Sequence, residues 1–213
     1  MQFIKIVVCL ILLSVATGCA ATRSVVDLKP GEEINNPTDG QIVKLLSVED
    51  KRVFEEKPRI PEIPSLDPEK INDPSIKARA IARKRNSYGA AMGDVLLPEG
   101  KTVALLMEKE VVNAFKEAGY RIAEPNDPDY GIATPVQVDI NKFWSWFIVG
   151  LARVGNQAEI RLEGELGKGT QAHVISNNYE SEPHFVVTES VWIEDTSTAL
   201  STFRKKIVEY LKP

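Results

Sequence analysis

The chain is expected to fold as a two-layer α+β domain: a mostly antiparallel sheet with two amphipathic helices on one face, preceded by a signal peptide and a flexible tether. Two observations predict this. Several segments alternate apolar and polar residues with period two, as strands with one wet face do. Two others repeat apolar residues at helical spacing, as helices with one buried stripe do. One-sided strands and one-sided helices bury both apolar surfaces most simply by packing on each other. A length of 213 residues, 43% hydrophobic and 26% charged, suits one globular domain with appended segments. It excludes a wholly disordered or fibrous chain.

The N-terminus comes first. Lys5 precedes an apolar run over residues 6–13, and small residues over 14–18 lead to Cys19. A short positive region, a short apolar core and a small-residue exit make a secretory signal peptide over residues 1–18. The run is too short for a transmembrane span of about 20 residues. Ala16-Thr17-Gly18-Cys19 resembles the lipobox of bacterial lipoproteins, with Ala16 where Leu is commoner. The alternative is an ordinary secreted protein with an incidental cysteine. The resemblance implies cleavage between Gly18 and Cys19, diacylglyceryl transfer to the Cys19 thiol and acylation of the new amine, by palmitate or a similar chain. Each buried methylene contributes about 0.8 kcal/mol, so several acyl chains make a stable anchor. Ala20 follows the cysteine. The absence of Asp there implies the outer membrane, with the domain facing the periplasm. Cys9 leaves with the signal, so the mature chain has no thiol pair for a disulfide.

Residues 19–40 read as a lipidated tether, because Pro30, Gly31, Asn35, Asn36, Pro37 and Gly40 punctuate a polar stretch. The folded domain is expected over 41–213. Residues 41–54, rich in Ile, Val and Leu, read as one or two strands. A Pro-rich arm follows over 57–74 and is expected to lie across the domain through Ile60, Ile63 and Leu66. Asp73-Pro74-Ser75 opens a helix that carries Lys77, Arg79, Arg83, Lys84 and Arg85. Residues 86–93 read as a flexible stretch of small residues.

The clearest helix spans 102–118. Val103, Ala104, Met107, Val111, Ala114, Phe115 and Ala118 share one face, Asn113 points away, Thr102 caps the start and Gly119 the end. Strands follow over 135–143, 158–166 and 172–179, the last after the Gly167-Lys168-Gly169 turn. A final amphipathic helix covers 198–211.

Three of these features together resemble the YajG-like lipoproteins of Gram-negative bacteria. They are the helix ending Phe115-Lys116-Glu117-Ala118-Gly119-Tyr120, the strand Val136-Gln137-Val138-Asp139-Ile140, and a terminal helix after a further strand. The resemblance covers roughly half the chain. It implies an envelope location and a non-enzymatic accessory role, and brings no catalytic residues. A similar plan occurs in auxiliary lipoproteins of ABC-type lipid transport systems.

The search for chemistry excludes more than it finds. The net charge of −4 gives no global reason to bind nucleic acid. His173 and His184 show no metal-ligand spacing. There is no nucleophile elbow, phosphate-cradling loop or dinucleotide fingerprint. Glu159, Glu163 and Glu165 fit a solvated strand face. No cofactor, metal or catalytic residue is expected, and an envelope hydrolase is the least favoured reading. Two stretches stand out as contact candidates. One is the basic run, above all Arg83, Lys84 and Arg85, which reads as a solvated helix face or as a contact for lipid phosphates or an acidic partner. The other is the apolar run 143–151 with Trp144, Trp146 and Phe147, which falls where a polar turn is expected and reads as a docking end or as core. The expected partners are the lipid bilayer, through acylated Cys19, and an envelope protein that the sequence does not name.

Overall fold

A computed structural model describes residues 23–86, 88–148, 150–166 and 172–212. The signal peptide, Gly18, Cys19 and the Gly167-Lys168-Gly169 turn lie outside these residues. The elements run β1 (Ser24–Val25), β2 (Ile42–Asp50), α1 (Pro74–Arg79), β3 (Ala80–Arg85), β4 (Ala91–Leu96), α2 (Val103–Glu117), β5 (Arg121–Ile122), β6 (Thr134–Ile148), β7 (Arg153–Gly164), β8 (His173–Glu180) and α3 (Glu189–Leu211). A 3-10 turn, Pro128–Gly131, precedes β6.

The 15-residue β6 is the spine of the sheet. One edge pairs antiparallel with β7 along its length, and β7 pairs antiparallel with β8. The other edge is divided. Its first half takes β2 in parallel, from Val43↔Thr134 to Asp50↔Ile140. Its second half takes β3 in parallel at Ala82↔Ser145. β5 lies parallel beyond β2, β4 antiparallel beyond β3, and β1 parallel beyond β4. The α+β class therefore holds, but the sheet is mixed rather than mostly antiparallel. Alternation shows which face a strand buries and says nothing about its direction. Direction follows the connections, and the long link from β2 to β6 gives room for a parallel return.

Helices α2 and α3 pack on one face. Val103, Met107, Val111, Ala114 and Phe115 of α2 share a core with Leu200, Phe203 and Ile207 of α3, Val136, Val138 and Ile140 of β6, and Ile160 and Leu162 of β7. Thr102 caps α2 by accepting from the Leu105 N–H, and Gly119 ends it at φ +92°. Helix α3 starts at Glu189, well before the expected residue 198. Its first turns bury Trp192, Asp195 and Thr196, and the two polar residues interrupt the apolar stripe. Thr196 Oγ1 lies 3.1 Å from Ser145 Oγ, which also accepts from Asn156 Nδ2 at 2.9 Å. Polar residues thus bridge the helix and sheet layers inside the core.

The opposite face of the sheet is covered near β3, β4 and the end of β6. Leu66, Ile71 and Ile76 of the arm and α1 pack there against Ala80, Leu96, Trp144 and Trp146. Ile60 of the arm stays half in solvent. Helix α1 stops at Arg79, and the remainder of the expected helix is strand β3. Ala80, Ile81 and Ala82 are all buried, and a strand covered on both faces accommodates such a run.

The expected tether over 19–40 is corrected from Ser24 onward. Ser24, Val26 and Leu28 are buried. Glu110 Oε1 accepts from the Gly31 N–H at 2.5 Å, and Asn113 Oδ1 from the Ile34 N–H at 3.1 Å, while Asn113 Nδ2 donates to Glu32 O. Asn36 and Ile122 exchange two further hydrogen bonds. Pro and Gly here mark irregular backbone, whose N–H groups side chains satisfy, and not a free chain. Asn113, expected to face away, is an anchor. Gly40 closes the segment at φ +113°, and a Cβ there would stand 2.1 Å from Gly119 O, so no other residue fits.

Glu110 makes this docking pH-dependent. Burial raises its carboxyl above the usual value, opposed by the Gly31 hydrogen bond and the Arg204 charge. A carboxyl raised in the folded state binds its proton more tightly than when unfolded. Its contribution favours folding below the unfolded value and is lost as pH rises through the folded one. Glu110→Gln removes that titration. The melting temperature of the variant minus that of the wild type is expected to increase from about pH 4 to pH 7, since the folded-state carboxyl titrates above the ordinary carboxylate range. A difference that stays constant across this range contradicts the assignment.

Candidate functional site

The structure separates the six candidate contact residues into two groups. Trp144 and Trp146 belong to the interior. Strand β6 runs unbroken to Ile148, so residues 143–148 of the apolar run are strand, while Leu151 at its end lies in the turn to β7. Trp144 is 1% exposed, donates from Nε1 to Pro61 O at 3.1 Å and meets the Phe54 ring edge-on at 5.9 Å. Trp146 lies across Gly155, where a Cβ would stand 2.4 Å from its ring. The docking reading of the two tryptophans is therefore corrected. The alternation looked broken at residue 143 because both faces of the strand are covered there, one by helices and one by the arm.

Arg83 is also interior. Its guanidinium donates to Leu66 O and to Asp67 Oδ1, and its Nε lies 3.8 Å from Asp94 Oδ1. Arg23 Nη2 donates to the other Asp94 oxygen at 3.1 Å. Burial raises the Asp94 carboxyl above its usual value, against the hydrogen bond from Arg23 and the two cationic charges. Two guanidinium groups converge on one sunken carboxylate, which fastens the arm and the N-terminal segment to β4. Arg83 is thus a structural clamp and is removed from the contact surface.

Lys84, Arg85 and Phe147 do come together. With Met92, Val187 and Trp192 they line an open depression of ≈ 270 Å³. The register explains the meeting. Ala82 pairs with Ser145, so the C-terminal ends of β3 and β6 lie level and in the same direction. Lys84 Nζ donates to Ser24 Oγ, which donates to Glu189 Oε1 at 2.5 Å. Arg85 donates to Gly89 O at 3.0 Å and Ser65 Oγ at 3.2 Å, both neutral acceptors. Burial, and then the charge of Arg83, lower its pKa. A cation in that setting is suited to an anion from outside.

Around the depression three connections gather: β3 to β4, β6 to β7, and β8 to α3. The last two are tied by the Ser181 N–H to Val154 O and the His184 N–H to Ala152 O. Their tips are apolar and open to solvent: Tyr88 is 94% exposed, Leu151 53%, Phe185 102% and Val186 59%. His184 Nε2 lies 2.8 Å from Asp195 Oδ2, holding the third loop to α3, and burial is the main influence raising the Asp195 carboxyl. The sequence reading missed Tyr88, Met92, Phe185, Val186, Val187 and Trp192. The available signal was the triplet Phe185-Val186-Val187, three apolar residues in a stretch without strand or helix period.

Among the described residues, no cluster of three His, Cys, Asp or Glu side chains is placed to hold a metal ion, and no helix is long and apolar enough to cross a membrane. The end of the sheet offers cations set among apolar side chains, an arrangement suited to an amphipathic anionic surface.

No family model and no curated protein sequence matches the chain. Solved structures do. One is the crystal structure of an uncharacterized protein, 8% identical, with a TM-score of 0.50, covering 89% of this chain and 100% of that one. Another is the crystal structure of protein XCC0632 from Xanthomonas campestris, of the family DUF330, 14% identical, with a TM-score of 0.44, covering 90% and 95% of the two chains. At such identities the likeness concerns the fold alone.

Proposed function

We propose that the chain is a membrane-anchored lipoprotein of the bacterial cell envelope, acting as a non-enzymatic binding or assembly factor on the periplasmic side of the outer membrane. One observation carries the reading. Cys19 stands where lipoprotein processing needs it, four residues before Arg23, which is already fastened to Asp94. The resemblance of residues 102–211 to YajG-like lipoproteins supports it. So does the use of the buried charges. Arg83 with Asp94 and Arg204 with Glu110 each join one segment of chain to another, and Arg52 joins the end of β2 to β3, β6 and α1 through three carbonyls.

Cys19→Ser is expected to abolish fatty-acid labelling and signal cleavage, and to release the protein from detergent-extracted membranes. A mutant that still labels, or a wild type that is freely soluble, defeats the reading.

A second reading is an auxiliary lipoprotein of an ABC-type lipid transport system. It is favoured by two adjoining depressions of ≈ 320 and ≈ 230 Å³ along α2, which share Pro30, Leu105 and Lys109 in their linings. Their size reaches the lower end of ligand sites, at about 300 Å³. Saturable binding of a fluorescent fatty acid, weakened by Leu105→Asp, is the expected result under this reading.

A further inference from the structure

The position of the anchor relative to the sheet fixes which end of the domain meets the membrane. Arg23 is level with Asp94, through their ion pair and through the neighbouring pair Ser24↔Val95. Asp94 pairs with Arg83 on β3. One residue before Arg83, Ala82 pairs with Ser145 on β6, so Arg23 stands about level with Trp146, close to the end of β6 at Ile148. The other end of β6, at Thr134, lies twelve residues back, or about 40 Å at 3.3 Å per residue. Four peptide steps from Arg23 to Cys19 span at most about 14 Å. An acylated Cys19 therefore cannot reach the Thr134 end. The same length suffices for the end where Tyr88, Leu151, Phe185 and Val186 protrude.

We propose that this end of the sheet lies against the bilayer that holds the Cys19 acyl chains, with Tyr88, Leu151, Phe185 and Val186 in the interfacial layer and Arg85 at the level of the lipid phosphates. The inference rests on the lipoprotein reading. It deepens that reading by giving the anchored domain an orientation and a second, non-covalent contact. Four apolar tips on three separate loops have one physical use in common. Each places a side chain that water disfavours on the side from which the lipid anchor arrives. Tyr and Phe suit the depth where headgroups meet acyl chains. Charge is secondary. Lys84, Arg85 and Arg153 share this end with Glu180, Glu182 and Glu189, and Arg153 Nη1 lies 3.9 Å from Glu180 Oε2. The contact is therefore expected to survive salt that screens surface charges over a few ångströms. The opposite end supplies a control in Ile132, which is 78% exposed just before β6.

The test uses the full acylated chain in vesicles of mixed zwitterionic and anionic phospholipid. A polarity-sensitive fluorophore is placed on Tyr88→Cys, Phe185→Cys or Ile132→Cys, and doxyl-labelled lipid is the quencher. The emission at 88 and 185 is expected to shift to the blue and to be quenched several-fold more than at 132, in low and in high salt. In a chain that also carries Leu151→Asp and Val186→Asp, the quenching at 88 and 185 is expected to fall toward that at 132. If Cys19 carries its fatty acid and positions 88 and 185 behave like 132, the orientation is overturned while the lipoprotein reading stands. If Cys19 carries none, both fall. Quenching that disappears in high salt overturns the apolar contact in favour of a purely electrostatic one.

Discussion

Trp144→Ala is expected to destabilise the domain by about 3–5 kcal/mol, the range for truncating a fully buried aromatic. The side chain is 1% exposed and shares one buried cluster with Leu66, Ile71 and Ile76 of the covering layer and Ala80 and Leu96 of the sheet. Its removal opens a cavity at the seam between the arm and the sheet, strips the edge-on contact from Phe54 and leaves Pro61 O without its donor. Arg83 still grips the arm at Leu66 and Asp67, but its earlier part loses the Pro61 contact, and Ile60 there is already half exposed. The loss should therefore show first as protease cleavage within residues 54–73, at temperatures where the circular dichroism of the sheet is still intact. Denaturant titration gives the total. Phe185→Ala is the contrast: a fully exposed side chain, expected to shift stability by under about 0.5 kcal/mol. If Trp144→Ala unfolds at the wild-type midpoint, the tryptophan is not core.

The same residue shows how far the sequence could be read. Helix α2 was legible to within a residue, with both caps, because it is one-sided and begins and ends on residues with a mechanical reason to be there: Thr102 accepts from Leu105 N–H and Gly119 takes a positive φ. Strands β6 and β7 were legible in their first and last halves respectively, where one face is wet and ion pairs such as Arg161 to Asp139 cross between them. Legibility ended where a second layer arrives. At residues 143–148 both faces are covered, the period disappears, and a strand looks like an anomaly. The N-terminal segment failed for the converse reason. Its composition is that of a loop, and the side chains that hold it, Glu110 and Asn113, lie nearly eighty residues away. The candidate site was half visible. Arg85 and Phe147 were singled out for charge and hydrophobicity, but only the register of β3 on β6 brings them together, and Phe185 and Val186 join them through loop contacts that no periodicity encodes.

Arg52→Ala is expected to cost about 3–5 kcal/mol, the range for breaking a buried charge pair by removing one partner. No motif or periodicity singles this residue out, yet it occupies the break in the divided edge of β6. Strand β2 leaves that edge after Asp50↔Ile140, and β3 takes it up at Ala82↔Ser145. The Arg52 guanidinium fills the interval. Nε and Nη2 grip the two Asp50 oxygens at 2.8 and 2.7 Å, Nη1 donates to Phe143 O on β6 and Ala80 O on β3, and Nη2 donates to Lys77 O at the end of α1. All five N–H donors of the group are used, and its side chain is 0% exposed. It also faces the Phe54 ring at 5.3 Å, which leads on to Trp144. Lysine offers three donors from a single point and cannot grip Asp50 while reaching three carbonyls, so Arg52→Lys is expected to recover little. The double variant Asp50→Asn, Arg52→Ala separates the two parts of the loss. Without the Asp50 charge, what remains is the cost of three carbonyls left without donors, so the double variant should be more stable than the sum of the single ones predicts. Strict additivity in denaturant titrations would show that Asp50 and Arg52 act independently, and that the sheet does not depend on a guanidinium to bridge its break.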